Sequence, residues 1–134
     1  MSSRSFDLYC LIISDLTTKH PIDVTNLFSV SSPVLWWSAI YNPVAGTVKL
    51  SCYGHHTFPN ESIRFTVPQE FAFNLPNSFI LGALGSARSS NNEYAFTIAK
   101  FITSNDTYQV EVDYSQGFIA EEVSFSVEYQ VATN

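Results

Sequence analysis

The sequence predicts an all-β protein: a single-domain antiparallel β-sandwich of about 8–10 short strands. Three observations carry this. Apolar residues recur with period two, and no stretch of useful length has the 3.6-residue period of a helix. Turn-forming residues separate these runs at short intervals. The 134 residues are 46% hydrophobic and 15% aromatic, which supplies one compact core over residues 1–134.

Taken in order, "DLYCLIIS" is apolar on both faces and reads as a central or interface strand. "VLWWSAIY", bounded by Pro33 and Pro43, is extended, so its adjacent indoles Trp36 and Trp37 must point to opposite faces. "TVKLSCY" aligns Val48, Leu50 and Cys52, and "SIRFTV" aligns Ile63, Phe65 and Val67. "NSFILGALGSARSSNN" is the least regular stretch. Its small residues Gly82, Ala83, Gly85, Ser86 and Ala87 suit close backbone approach or a loop. "EYAFTIAKF" reads as one strand with Tyr94, Phe96 and Ile98 on one face. "TSND" is a hairpin turn leading into "QVEVDY", with Val110, Val112 and Tyr114 on one side. The clearest strand closes the chain, with Val123, Phe125, Val127, Tyr129 and Val131 facing inward against Glu122, Ser124, Ser126, Glu128 and Gln130.

Charged residues are only 13% of the chain, against about 25% in ordinary soluble domains. The polar groups at the surface therefore come mainly from Ser, Thr and Asn. Low charge also weakens repulsion between copies, which favours a homo-oligomer. The net charge of −6 arises entirely after residue 67, where two basic side chains face eight acids. No cluster of Lys and Arg exists for a nucleic-acid backbone or an anionic membrane surface. No run approaches the length of a spanning helix, and "MSSRSFDLYCLIISDL" lacks the uninterrupted apolar core of a secretory signal. The expectation is a soluble chain, cytoplasmic or released without a classical signal peptide. Cys10 and Cys52 then read as buried free thiols, with a single disulfide as the alternative in an oxidising compartment. Asn60-Glu61-Ser62 and Asn105-Asp106-Thr107 read as chance glycosylation triplets at turns.

Catalytic chemistry finds no support in the spacing. There is no G-x-S-x-G nucleophile turn and no phosphate-binding glycine loop. Glu111 and Asp113 share one face of one strand, and Glu122 and Glu128 join them there if the last two strands pair, giving an acidic solvated face. His55 and His56 are adjacent on a strand and diverge, so no metal site is expected. No cofactor is implied.

The aromatic residues remain. An exposed indole beside polar groups suits the apolar C–H faces and hydroxyls of a sugar. Trp36, Trp37, Tyr41, Asn42, His55, His56 and Arg64 are the candidate ligand-binding residues, if their strands are neighbours. The competing explanation is that both faces of this strand are covered, one by the second sheet and one by a subunit or loop. Length, acidity and all-β character are similar to those of galectins, and the sandwich is expected to be jelly-roll or galectin-like in type. The galectin sugar motifs H-x-N-x-R and W-G-x-E are absent, however. Trp37 is followed by Ser38, and His55-His56 lead into Thr57-Phe58. The sequence therefore predicts a non-enzymatic, lectin-like carbohydrate-binding homo-oligomer. A self-assembling structural subunit of a shell, fibre or intracellular assembly is the alternative, and a membrane-active or pore-forming protein stands third.

Overall fold

A computed structural model of the chain describes residues 20–31, 36–59, 63–82, 84–114 and 119–133, with the backbone alone for 55–59. The strands are β1 (Ile22–Asp23), β2 (Ser29–Val30), β3 (Trp36–Asn42), β4 (Thr47–Pro59), β5 (Ile63–Val67), β6 (Phe79–Leu81), β7 (Gly85–Arg88), β8 (Tyr94–Phe96), β9 (Ile98–Ser104), β10 (Thr107–Asp113) and β11 (Ile119–Gln130). They form a six-stranded sheet in the order β1-β3-β4-β11-β7-β8 and a five-stranded sheet in the order β2-β5-β10-β9-β6. All pairings are antiparallel, as the sequence predicts for a β-sandwich.

The alternating runs map onto these strands. β5 alternates buried and exposed residues throughout, with Ile63, Phe65 and Val67 inside. In β11, Val123, Phe125, Val127 and Tyr129 are buried. The "TSND" turn joins β9 to β10, and Asn105 and Asp106 both adopt positive φ, 49° and 62°. This left-handed pair matches the twist of the flanking strands, and Asn and Asp tolerate it better than most residues. The first apolar run, "DLYCLIIS", lies outside the described residues, as do Cys10 and the Asn60 triplet.

The core is one continuous apolar cluster between the sheets. Ala39, Val48, Leu50, Cys52, Val123 and Val127 come from the six-stranded side. Ile63, Phe65, Ala99, Phe101, Val110 and Val112 come from the other. Aromatic rings lock the layers together. Phe73 meets Phe101 edge-on at 4.9 Å and both Tyr108 and Tyr129 at 5.5 Å. Phe71, delivered by a 3-10 turn at Gln69–Phe71, lies 5.1 Å from Tyr41 and 5.9 Å from Phe28. Such offset and edge contacts add about 0.5–1.5 kcal/mol per pair beyond area burial. The buried Tyr129 hydroxyl donates to the Phe71 carbonyl at 2.9 Å, which satisfies its one donor.

Two expectations are corrected here. "EYAFTIAKF" is not one strand: β8 belongs to the six-stranded sheet and β9 to the other, and the buried Thr97 lies between them. The change of sheet also separates Tyr94 and Phe96 from Ile98. Tyr94 and Phe96 are exposed, whereas Ala99 and Phe101 are buried. The last two strands, β10 and β11, lie in different sheets and do not pair, so no shared acidic face forms.

Cys52 carries a free, buried thiol. Burial pushes its pKa up to about 12 from 9.0, and burial likewise pushes the Tyr129 phenol above its ordinary value. Both groups hold their proton more firmly folded than unfolded. Their stabilising effect is therefore complete below about pH 9 and is lost as pH rises through the range of about 9 to 12. The urea midpoint is expected to hold steady from about pH 7 to 8.5 and to fall above about pH 9, less steeply in the double variant Cys52→Ala/Tyr129→Phe. A midpoint independent of pH up to about 11 contradicts this.

Candidate functional site

Strand alternation places one side chain in two of the six-stranded sheet on its outer face. In β3 the inward positions are Trp37, which packs 5.6 Å from Phe65, then Ala39 and Tyr41. Trp36 therefore points outward and is 53% exposed. The two indoles diverge as extended geometry demands, and the second sheet captures Trp37.

From Trp36 a continuous row of paired residues crosses the sheet. Trp36 stands opposite Tyr53, Tyr53 opposite Ser124, Ser124 opposite Ser86, and Ser86 opposite Phe96. Phe96, at the far end on the edge strand β8, is 78% exposed. Four strand intervals separate the two end rings, about 19 Å at about 4.8 Å per interval. The row is thus aromatic at one end (Trp36 with Tyr53), serine-floored in the middle and aromatic again at the other end. A parallel row pairs Glu122 with Arg88 and Arg88 with Tyr94, itself 68% exposed. On the other side Ser38, Ser51 and Ser126 form a third row, and the Ser51 and Ser126 hydroxyls are 3.2 Å apart.

A fixed polar network runs beside the aromatic row. Arg88 Nη2 donates to Glu122 Oε2 at 3.3 Å. Arg88 Nη1 donates to the Ser89 carbonyl at 3.2 Å and to Asn92 Oδ1 at 3.3 Å. The Tyr53 hydroxyl donates to the Glu122 carboxylate. Its pKa is raised, first by partial desolvation and then by the Glu122 charge and hydrogen bond, with Arg88 opposing. A partly exposed ion pair of this kind contributes about 1 kcal/mol or less to stability. Its consequence is positional: three polar groups are held in one orientation between Trp36 and Tyr94. Opposite charges also match elsewhere on this face, where Lys49 stands across from Glu128.

Glycine makes the row possible. β7 approaches β11 so closely at Gly85 that an added Cβ would stand 2.0 Å from the Ser124 carbonyl oxygen. No other residue allows Ser86 and Arg88 to reach their partners on β11 in this register. The close approach foreseen for the small-residue stretch therefore holds at Gly85, while Gly82 has open space.

Of the seven candidate residues, the five whose side chains are described do not converge. Trp36 lies on the row. Asn42 shares its face but sits at the far end of β3, where its Oδ1 accepts from the Val44 and Ala45 amides and shapes the turn into β4. Trp37 and Tyr41 point into the core. Arg64 belongs to β5 in the other sheet, where its Nε and Nη2 both donate to Glu111 at 3.3 Å. His55 and His56 lie within β4, and their side chains fall outside the description. Their expected grouping assumed that β3, β4 and β5 are neighbours, whereas the chain changes sheets between β4 and β5.

Sequence reasoning missed Tyr53, Arg88, Glu122, Tyr94 and Phe96. One signal was present: the outward positions of β11 include Ser124 and Ser126, and their neighbours in β4 and β7 are Ser51 and Ser86. Four serines on adjacent outer positions make a flat polar floor without long side chains. Among the described residues no group of three His, Cys, Asp or Glu could hold a metal ion. No helix among them is long and apolar enough to cross a membrane. No protein-family model matches the chain, and neither the curated proteins nor the solved structures contain a significant match.

Proposed function

We propose that the protein is a non-enzymatic, lectin-like binder whose carbohydrate site is the outer face of the six-stranded sheet. The observation that supports this reading is the row from Trp36 through Tyr53, Ser124 and Ser86 to Phe96. Exposed indole and phenyl faces stack on the apolar C–H faces of pyranose rings. The oriented Tyr53, Glu122 and Arg88 groups supply donors and acceptors for hydroxyls. The serine floor adds hydroxyls without obstructing a ligand.

Binding fits this face better than hydrolysis. Register places Asp23, Glu122 and Glu128 on it, and the bulge turns Glu121 the same way beside Glu122, whose carboxylate is already engaged by Arg88. Glu122 and Glu128 are six residues apart on one strand, about 20 Å. Asp23 and Glu128 are separated by three strand intervals, about 14 Å. Glycoside hydrolysis needs two carboxylates about 5–9.5 Å apart. A single shallow site binds weakly, so the reading includes a homo-oligomer in which repetition supplies avidity.

The test contrasts the two adjacent indoles on a glycan array. Trp36→Ala is expected to abolish array binding and to change stability by no more than about 0.5 kcal/mol, as an exposed side chain should. Trp37→Ala is expected to cost about 3 kcal/mol, since it opens a cavity beside Phe65. A folded wild-type protein that gives no glycan signal at high concentration overturns the reading.

The exposure of Tyr94 and Phe96 on an edge strand favours the second reading, a self-assembling subunit. Light scattering separates the two: a closed small oligomer fits a lectin, and shells or filaments fit the assembly.

A further inference from the structure

We propose that this face takes a neutral, linear oligosaccharide longer than a disaccharide, laid across the strands from Trp36 to Phe96. This rests on the carbohydrate reading above and goes on to specify the ligand. Three features of the row support it.

The first is length. Trp36 and Phe96 occupy opposite ends of one register-matched row, about 19 Å apart over four strand intervals. One or two sugar rings reach only one of these platforms. A longer chain reaches both, and its second contact is then intramolecular, with a high effective concentration.

The second is the track between the platforms. Ser124 and Ser86 are the smallest polar side chains a strand can present there, and they leave the path open. Bulk rises to one side, where Arg88 and Tyr94 occupy the next row. A chain lying along the row therefore has a floor, two end stacks and one polar wall.

The third is charge. On this face Arg88 is paired with Glu122 and Lys49 stands opposite Glu128, while Asp23 and Glu121 add further negative charge. Among the described residues acids outnumber bases on this face, so it offers no surplus Lys or Arg to a sulfate or uronate. The chain as a whole carries −6, which disfavours an anionic glycan further. A neutral ligand is complementary to such a surface.

The test is calorimetric titration of the full chain. The probes are dimers and hexamers of four neutral sugars (glucose, xylose, mannose and N-acetylglucosamine) together with the galacturonate hexamer. At least one neutral hexamer is expected to bind about tenfold or more tighter than its own dimer. Trp36→Ala and Phe96→Ala are each expected to bring that hexamer down to about the affinity of the dimer. Both side chains are exposed, so both variants fold, and far-ultraviolet circular dichroism verifies this. Equal affinity for dimer and hexamer overturns the inference while leaving the carbohydrate reading intact, as does a hexamer affinity unchanged by Phe96→Ala. Tighter binding of the galacturonate hexamer overturns the neutral class. Absence of binding to every probe overturns the carbohydrate reading and the inference together. A protein dimer that dissociates on Trp36→Ala or Phe96→Ala shows the face to be covered by a second copy, and overturns the inference as well.

Discussion

Phe101→Ala lowers the unfolding free energy by about 3–5 kcal/mol. The ring is fully buried on the inner face of the five-stranded sheet, in β9 between the central strand β10 and the edge strand β6. It meets Phe73 at 4.9 Å, Tyr129 at 5.8 Å and Phe79 at 6.3 Å, so its loss strips contacts from both layers at once. Phe73 is bridged to Val131 just beyond β11, and the Tyr129 hydroxyl is tied to the Phe71 carbonyl. These backbone anchors restrain the neighbours from collapsing into the vacated space, which places the cost high in the usual range. Denaturant unfolding checks it. Phe101→Leu keeps more of the volume and is expected to recover at least half the loss. A Phe101→Ala variant within about 1 kcal/mol of wild type shows the ring to be dispensable.

Gly85→Ala is the second large effect, and its mechanism differs. The new methyl would sit 2.0 Å from the Ser124 carbonyl oxygen, 2.8 Å from the Ser124 carbonyl carbon and 2.9 Å from the Phe125 Cα. All three are backbone atoms of the central strand β11, so no rotamer change relieves the clash. β7 must move away from β11, and the expected cost is about 3 kcal/mol, at the upper end of overpacking penalties. The damage is local. β8 pairs with β7 alone in its sheet, so it goes with it. Hydrogen exchange is expected to accelerate at β7 and β8 and to stay slow at β9 and β10. The Arg88–Glu122 pair and the Ser86–Phe96 end of the row depend on that pairing. Binding to a long ligand is therefore expected to fall even where the rest of the molecule stays folded. Retention of wild-type exchange in β7 contradicts this account.

Period-two alternation makes β5, β10 and β11 readable, because each alternates core-facing apolar residues with outward polar ones, even where, as at Glu111, the outward residue is itself buried. Turn chemistry made the β9–β10 hairpin readable, since Asn105-Asp106 is suited to left-handed backbone. The candidate site was less accessible. Alternation groups Tyr94 and Phe96 on one face without saying which, and that face is the outward one. Along that segment small Ala95 and Ala99 alternate with the exposed rings, and Phe101 fills the interior next to them. Local sequence carries no information about how much interior volume distant residues already occupy. Arg64 was grouped with Trp36 because β5 follows β4 in the chain, although the connection between them carries it to the opposite layer.

Fold class, the pattern of alternating strands and the divergence of Trp36 and Trp37 are all local properties, because backbone geometry sends successive side chains of a strand to opposite faces. That Trp37 is the inward one depends on sheet packing, since Phe65 of the second sheet receives it. Tertiary structure likewise decided that Trp36 shares a surface with Tyr53, Arg88, Glu122 and Phe96, residues contributed by four other strands. Strand order brings them together, and strand order follows from pairing between segments far apart in the chain, which no local pattern encodes.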